Sequence, residues 1–267
     1  MVGGTPLFLM WAAAGCPECH VAQAAAHAKS AHARTLARAT DPRWASLAAE
    51  WAFGAEKQAV TFVRRDDAEH YVELGLSFYP KLGRFDLTPG HSNTTGERYR
   101  IFDPSAAILR CFQCHSTGKL DVSAEGEIRV AQPGVQCQSC HGDGAAHNGG
   151  KGPISNPGKL TAAKMNDQCG ACHRKPAPTG GDTDFTNPWN VRHQPLYLAR
   201  SVCFQKSGGK LNCITCHDAH SGEAKSVCAS CHAAPKHTRA VSGTCESCHM
   251  PNVSPRPGIA FANHWIR

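Results

Sequence analysis

The sequence feature that most constrains this chain is the motif Cys-x-x-Cys-His, which occurs seven times in 267 residues. The copies hold 14 of the 15 cysteines, and a histidine follows every Cys-x-x-Cys at once. A zinc ribbon, a thioredoxin-like dithiol or a disulfide framework does not require that histidine. The pattern is instead the attachment signature of c-type haem, in which two thiols bond the porphyrin vinyl groups and the imidazole reaches the iron.

We therefore predict seven covalently bound haem c groups as cofactors. The predicted attachment cysteines are Cys16, Cys19, Cys111, Cys114, Cys137, Cys140, Cys169, Cys172, Cys213, Cys216, Cys228, Cys231, Cys245 and Cys248. The iron ligands that the motifs supply are His20, His115, His141, His173, His217, His232 and His249.

The histidine content supports this interpretation independently. The chain has 16 histidines, so nine lie outside the motifs, enough for a second histidine on each of seven irons. With only four methionines present, histidine–methionine ligation cannot be the general rule.

The distribution of the motifs bears on the fold. Six of the seven crowd into residues 111–249, and ninety residues separate His20 from Cys111. We expect short α-helices and irregular loops around a core of packed haems, with a small β-hairpin in the N-terminal part. Folding would then be coupled to haem attachment. Residues 1–110 would carry the first haem, residues 111–267 the other six, and the two parts would form one compact unit.

Local patterns predict a few individual elements. Residues 21–39 are alanine-rich and favour a helix. Residues 58–65 and 70–79 are β-branched and aromatic runs around an acidic turn, which predicts a hairpin. Residues 81–103 and 142–160 are rich in glycine, proline and small polar residues, as is typical of loops.

The formal net charge of +7 does not indicate nucleic-acid binding. Seven haems would add roughly −14 from their propionates and about +1 for each ferric iron, which brings the oxidised holoprotein close to neutral. No basic run or nucleic-acid motif is present. We expect redox proteins or extracellular acceptors as partners.

Covalent haem predicts export, because the thioether bonds are formed outside the cytoplasm. The string LFLMWAAAG resembles the apolar part of a signal peptide, but no Lys or Arg precedes it. We expect the true signal to lie upstream of Met1, or the numbering to begin inside a precursor. No stretch approaches the ~20 apolar residues of a membrane span. The expected location is periplasmic or extracellular.

The surroundings of the motifs resemble a known superfamily. GVQCQSCHGDGAAH, CITCHDAH, CESCHMP and FANHWIR are similar to multihaem cytochromes c of the nitrogen and sulfur cycles. These include the tetrahaem acceptors of hydroxylamine oxidation and the pentahaem donors to nitrite reductase. The phrases SAHARTL, DLTPGH, VRHQP…SVCF and NHWIR follow, in order, the pattern of environmental multihaem cytochromes that often carry tetratricopeptide repeats. The resemblance covers nearly the whole chain and implies electron transfer.

The resemblance and the histidine count together predict the second ligands of the irons. Histidines shortly after a motif, as at His147 and His220, usually bind a neighbouring haem in the similar cytochromes. The predicted set is His32, His91, His147, His193, His220, His237 and His264. The sequence leaves open which of them faces which motif histidine.

Four further residues have predicted roles outside this set. We prefer His32 to His27 as the ligand from the first helix, because both cannot face one iron well. His70 lies in a predicted strand beside acidic residues and should face solvent. Cys203, the one cysteine outside the motifs, is interpreted as a buried structural residue, and Met250 as a packing residue.

The sequence thus favours an exported electron-transfer cytochrome with mostly bis-histidine haems, and not an enzyme. Two alternatives remain open. The chain could be the subunit of an extracellular conductive filament, in which haem contacts or ligands are shared between chains. It could also be a haem reductase with one five-coordinate iron, although no Cys-x-x-Cys-Lys motif of the kind found in catalytic relatives is present.

Overall fold

The computed structural model describes residues 15–65, 71–89, 98–102, 107–175, 184–233, 235, 237 and 242–267. The α-helices in this part of the chain are α1 (Cys16–Cys19), α2 (Val21–Ala28), α3 (Ala107–His115), α4 (Cys137–His141), α5 (Ala145–Asn148), α6 (Ala162–His173), α7 (Gln194–Ala199), α8 (Val202–Lys206), α9 (Cys213–Cys216) and α10 (Cys245–His249). None of these helices is long and apolar enough to cross a membrane.

The strands are also short and pair in antiparallel fashion. They are β1 (Leu36–Arg38), β2 (Trp51–Phe53), β3 (Thr61–Arg65), β4 (Tyr71–Leu74), β5 (Leu76–Tyr79), β6 (Arg84–Leu87), β7 (Arg98–Phe102), β8 (Ser116–Val122), β9 (Ile128–Pro133), β10 (Asn252–Arg256) and β11 (Ile259–Ala262). Five form one sheet in the order β1-β2-β3-β4-β7, and the others form the hairpins β5-β6, β8-β9 and β10-β11.

Both faces of the five-stranded sheet are covered by apolar side chains, because neighbouring residues of a strand point to opposite faces. One cluster comprises Leu36, Trp51, Phe53, Val63, Tyr71, Ile108, Phe112 and Ile128. The other comprises Trp44, Ala52, Val60, Phe62, Val72 and Leu74. Since Phe112 of α3 is fully buried in the first cluster, the sheet fixes the position of the second Cys-x-x-Cys-His motif.

The fold differs from the sequence expectations in its N-terminal half. The helix predicted over residues 21–39 ends at Ala28, and β1 follows. The buried Ser30 accepts a hydrogen bond from Ala33 N through its Oγ (3.1 Å), a side-chain contact that competes with continued helix. His32 therefore lies in a turn, on a different element from His27.

The predicted hairpin is confirmed as β3-β4, with Arg64 opposite Val72, but it is only the middle of a larger sheet. The prediction of a loop over residues 81–103 is wrong at β6 and β7. Phe85 of β6 pairs with Phe78, and β7 pairs with β4. Cross-strand packing outweighs the local glycine and proline content there.

A buried hydrogen bond ties β4 to β9. The Tyr71 hydroxyl accepts the backbone N–H of Ile128 at 2.8 Å, and Tyr71 is fully buried. Tyr71→Phe leaves that N–H without a partner, so we expect a loss of about 1–3 kcal/mol in the free energy of unfolding. Chemical denaturation of the holoprotein measures it. The matched control is Tyr197→Phe, because the buried Tyr197 hydroxyl has no hydrogen bond; an equal loss in both variants would contradict the assignment.

Candidate functional site

Each Cys-x-x-Cys-His motif in the described structure coincides with a helical turn. Residues three and four apart share one helix face, so a helical turn presents both thiols and the imidazole on the same side. The motif at Cys137 is α4 and that at Cys245 is α10, while the motifs at Cys111 and Cys169 close α3 and α6. At Cys228 the turn is a 3₁₀ helix.

Five of the seven motif histidines lie opposite one non-motif histidine. The ring centroids are 6.0–6.4 Å apart, and the interplanar angles run from 4° to 65°. The pairs, motif histidine first, are His20–His147, His173–His32, His141–His220, His217–His264 and His249–His237.

The centroid distances fit an iron held between two imidazoles. Two iron–nitrogen bonds of about 2 Å, plus the ~1.1 Å from each ring centre to its nitrogen, add to about 6.2 Å. A direct ring stack would be closer, and an unrelated pair would show no common distance. The residues present therefore fit haem iron with histidine on both sides.

Hydrogen bonds fix which ring nitrogen is available in three of these paired histidines. The Nδ1–H groups of His141 and His264 donate to the backbone oxygens of Ser155 (2.8 Å) and Ala262 (3.0 Å). His249 Nδ1 bonds the Arg267 backbone oxygen in the same way.

A carbonyl oxygen can only accept, so Nδ1 carries the proton and Nε2 keeps its lone pair. This is the usual outer support of a metal-binding histidine.

Burial keeps several of these imidazoles neutral. Desolvation lowers the pKa of His32, His115, His173 and His264 below the ordinary histidine value. In His173 the repulsion from His32 lowers the pKa further. Since a metal binds the neutral imidazole, these four histidines are in the binding form at pH 7.

The other candidate second ligands do not lie opposite a motif histidine in the part of the chain that the structure describes. His91 and His70 lie outside the described residues, so their roles stay predictions. His193 is 6% exposed and directly precedes α7. His27 lies in α2, and its buried Nε2 has no hydrogen bond.

Two motif histidines have no histidine opposite them in the described part of the chain. His115 packs against the Phe53 ring at 5.3 Å. His232 faces the thiol of Cys203, with Sγ and Nε2 3.8 Å apart. Cys203 is half-buried, so the prediction that it is a buried structural residue is wrong about its burial. No neighbouring sequence pattern distinguishes Cys203, so sequence reasoning assigned it no functional role.

The cysteines show which motifs are neighbours. Three pairs of cysteines from different motifs interact at short range: Cys114 with Cys172, Cys169 with Cys213, and Cys228 with Cys245. The motif Cys169–His173 is thus in contact with two others.

Two further pairs of cysteines from different motifs interact electrostatically. Cys140 interacts with Cys169, and Cys16 with Cys137. The first motif, distant in sequence, therefore lies beside the third, in agreement with the pairing of His20 and His147.

Comparison with known proteins adds little. No family model and no curated protein matches the chain. The crystal structure of the outer cell wall cytochrome OcwA is similar, with 18% sequence identity and a TM-score of 0.43 over 60% of this chain. The match spans 36% of that chain. A TM-score of this size establishes neither a shared fold nor a shared function.

Proposed function

We propose that the chain is an exported electron-transfer cytochrome that carries seven covalent haem c groups, most of them held by two histidines. The observation that carries the proposal is the set of five histidine pairs. Each pair joins one motif histidine to one other histidine at a nearly constant 6.0–6.4 Å. Haem iron supplies reversible one-electron chemistry when bound.

The chain's own residues favour electron transfer over catalysis. Each histidine pair would hold an iron from both sides and would leave no open position for a substrate. The Nδ1–H groups of His141 and His264 donate to backbone carbonyls, which holds each ring in one orientation and strengthens it as a ligand. Such preorganised ligands change little when the charge of the iron changes.

The cysteine contacts support a branched path between the haems. The motif Cys169–His173 lies at its centre, next to the motifs at Cys111, Cys137 and Cys213. Because each porphyrin would be bonded to its cysteines, the proximity of cysteines from different motifs would bring the edges of neighbouring porphyrins together. We infer that electrons pass between branches through the haem of this central motif.

The partners that fit this function are redox proteins or extracellular acceptors that dock briefly. Weak electron-transfer complexes bury small interfaces. Location outside the cytoplasm follows from the thioether chemistry that the seven motifs need.

The test is a spectroelectrochemical titration of the holoprotein, followed by an assay of the reduced protein with nitrite and hydroxylamine. We expect reversible low-spin spectra over the whole titration and at most stoichiometric reoxidation. Sustained turnover of either nitrogen compound would replace this proposal with the reductase alternative.

A further inference from the structure

The sixth motif departs from the pattern of the other pairs. His232 lies 3.8 Å, through Nε2, from Cys203 Sγ, where five other motif histidines face an imidazole. The feature is a motif histidine whose Nε2 faces a thiol.

The backbone holds Cys203 in this position. It lies in α8, whose N-cap Ser201 is fully buried. Ser201 Oγ accepts the N–H of Phe204 at 3.1 Å, and Ser201 O accepts that of Gln205 at 3.0 Å. Cys203 also interacts electrostatically with Cys216 of the fifth motif. The thiol is therefore fixed between the fifth and sixth motifs.

The separation is compatible with an iron between the two atoms after a small side-chain rotation. A metal–nitrogen bond of about 2.0 Å and a metal–sulfur bond of about 2.3 Å in line would need about 4.3 Å. The observed distance is half an ångström shorter, which a change in the Cys203 χ1 angle can supply. An S–H···N hydrogen bond also fits 3.8 Å, and it is the competing explanation.

We propose that Cys203 is the second axial ligand of the iron bound by His232, which makes this haem histidine–cysteinate. The inference rests on the proposed function. On binding, the thiol releases its proton to solvent and the sulfur donates a lone pair to ferric iron; no electrons are transferred. A thiolate donates more electron density than an imidazole, so this haem has the lowest potential among its neighbours.

This assignment also accounts for the supply of ligands. Five motif histidines have histidine partners, and His232 has a sulfur partner. His115 is then the one motif histidine without an assigned partner, and the remaining candidates for its second ligand are His27, His91 and His193.

The experiment compares wild-type ferric holoprotein with Cys203→Ser by electron paramagnetic resonance and near-infrared magnetic circular dichroism. Serine keeps the size and the hydrogen bond but is not a thiolate. We expect a low-spin signal with the narrow g spread of thiolate ligation in wild type, from about one seventh of the haem. That signal should vanish in Cys203→Ser. Lys206→Ala, an exposed change on the same helix, should retain it.

The outcomes separate this inference from the proposed function. Bis-histidine signals alone in wild type, unchanged in Cys203→Ser, would overturn the cysteine ligand and leave the cytochrome intact. A thiolate signal that persists in Cys203→Ser would also overturn it. Haem content is measured in every sample as the pyridine haemochrome. A wild-type chain that carries no haem would contradict the proposed function itself, and not only the cysteine ligand.

Discussion

Replacement of His220 by alanine should open one haem to external ligands. His220 lies opposite His141 with the rings nearly parallel, at 4°, and 6.4 Å apart. His141 is itself held by its hydrogen bond to Ser155, so it should keep its iron when the partner is lost. We expect carbon monoxide to bind rapidly to about one seventh more of the reduced haem than in wild type.

The matched control is His70→Ala, because His70 is the histidine that the sequence places in solvent. This variant should bind carbon monoxide as wild type does, and both variants should retain full haem content. An unchanged carbon monoxide spectrum in His220→Ala would show that the His141–His220 pair does not hold an iron.

Removal of the central haem should divide the electron path. In the double variant Cys169→Ser/Cys172→Ser we expect six covalent haems and slow equilibration between the branches. The reason is that Cys169 and Cys172 contact Cys213 and Cys114, which belong to different branches. Partial photoreduction, followed by optical monitoring of electron redistribution, measures the rate.

The control for this variant also removes one haem, but from an end of the path. Cys16→Ser/Cys19→Ser leaves the contacts of Cys169 and Cys172 in place, because Cys16 interacts with Cys137 of the third motif. We expect its six haems to equilibrate as fast as those of wild type. Equal slowing in both double variants would mean that the fourth motif is not the junction.

The sequence could predict the chemistry of the candidate site because that chemistry is local. Two thiols and an imidazole must be adjacent to hold one c-type haem, so the motifs are visible without a fold. The histidine count then limited the second ligands to a short set. Of that set, His32, His147, His220, His237 and His264 lie opposite motif histidines in the structure.

The pairing itself depends on tertiary structure. His20 meets His147 only because the first motif packs against the third, and no spacing rule encodes such a contact. The contact between Cys203 and His232 could not be predicted for the same reason, because the two residues lie on separate segments. The sheet was underestimated because β7 is selected by its pairing with β4, a contact between distant segments that outweighs the loop-like composition before it.

The most direct test of this account is the intact mass of the chain under denaturing conditions, after expression in a host with haem-attachment machinery. A known multihaem cytochrome is expressed in the same host as a control for haem attachment. We predict the 28.6 kDa chain, less any export signal that is cleaved, plus seven haem groups that survive denaturation. A bare chain, or free thiols at motif cysteines while the control is fully loaded, would contradict the account.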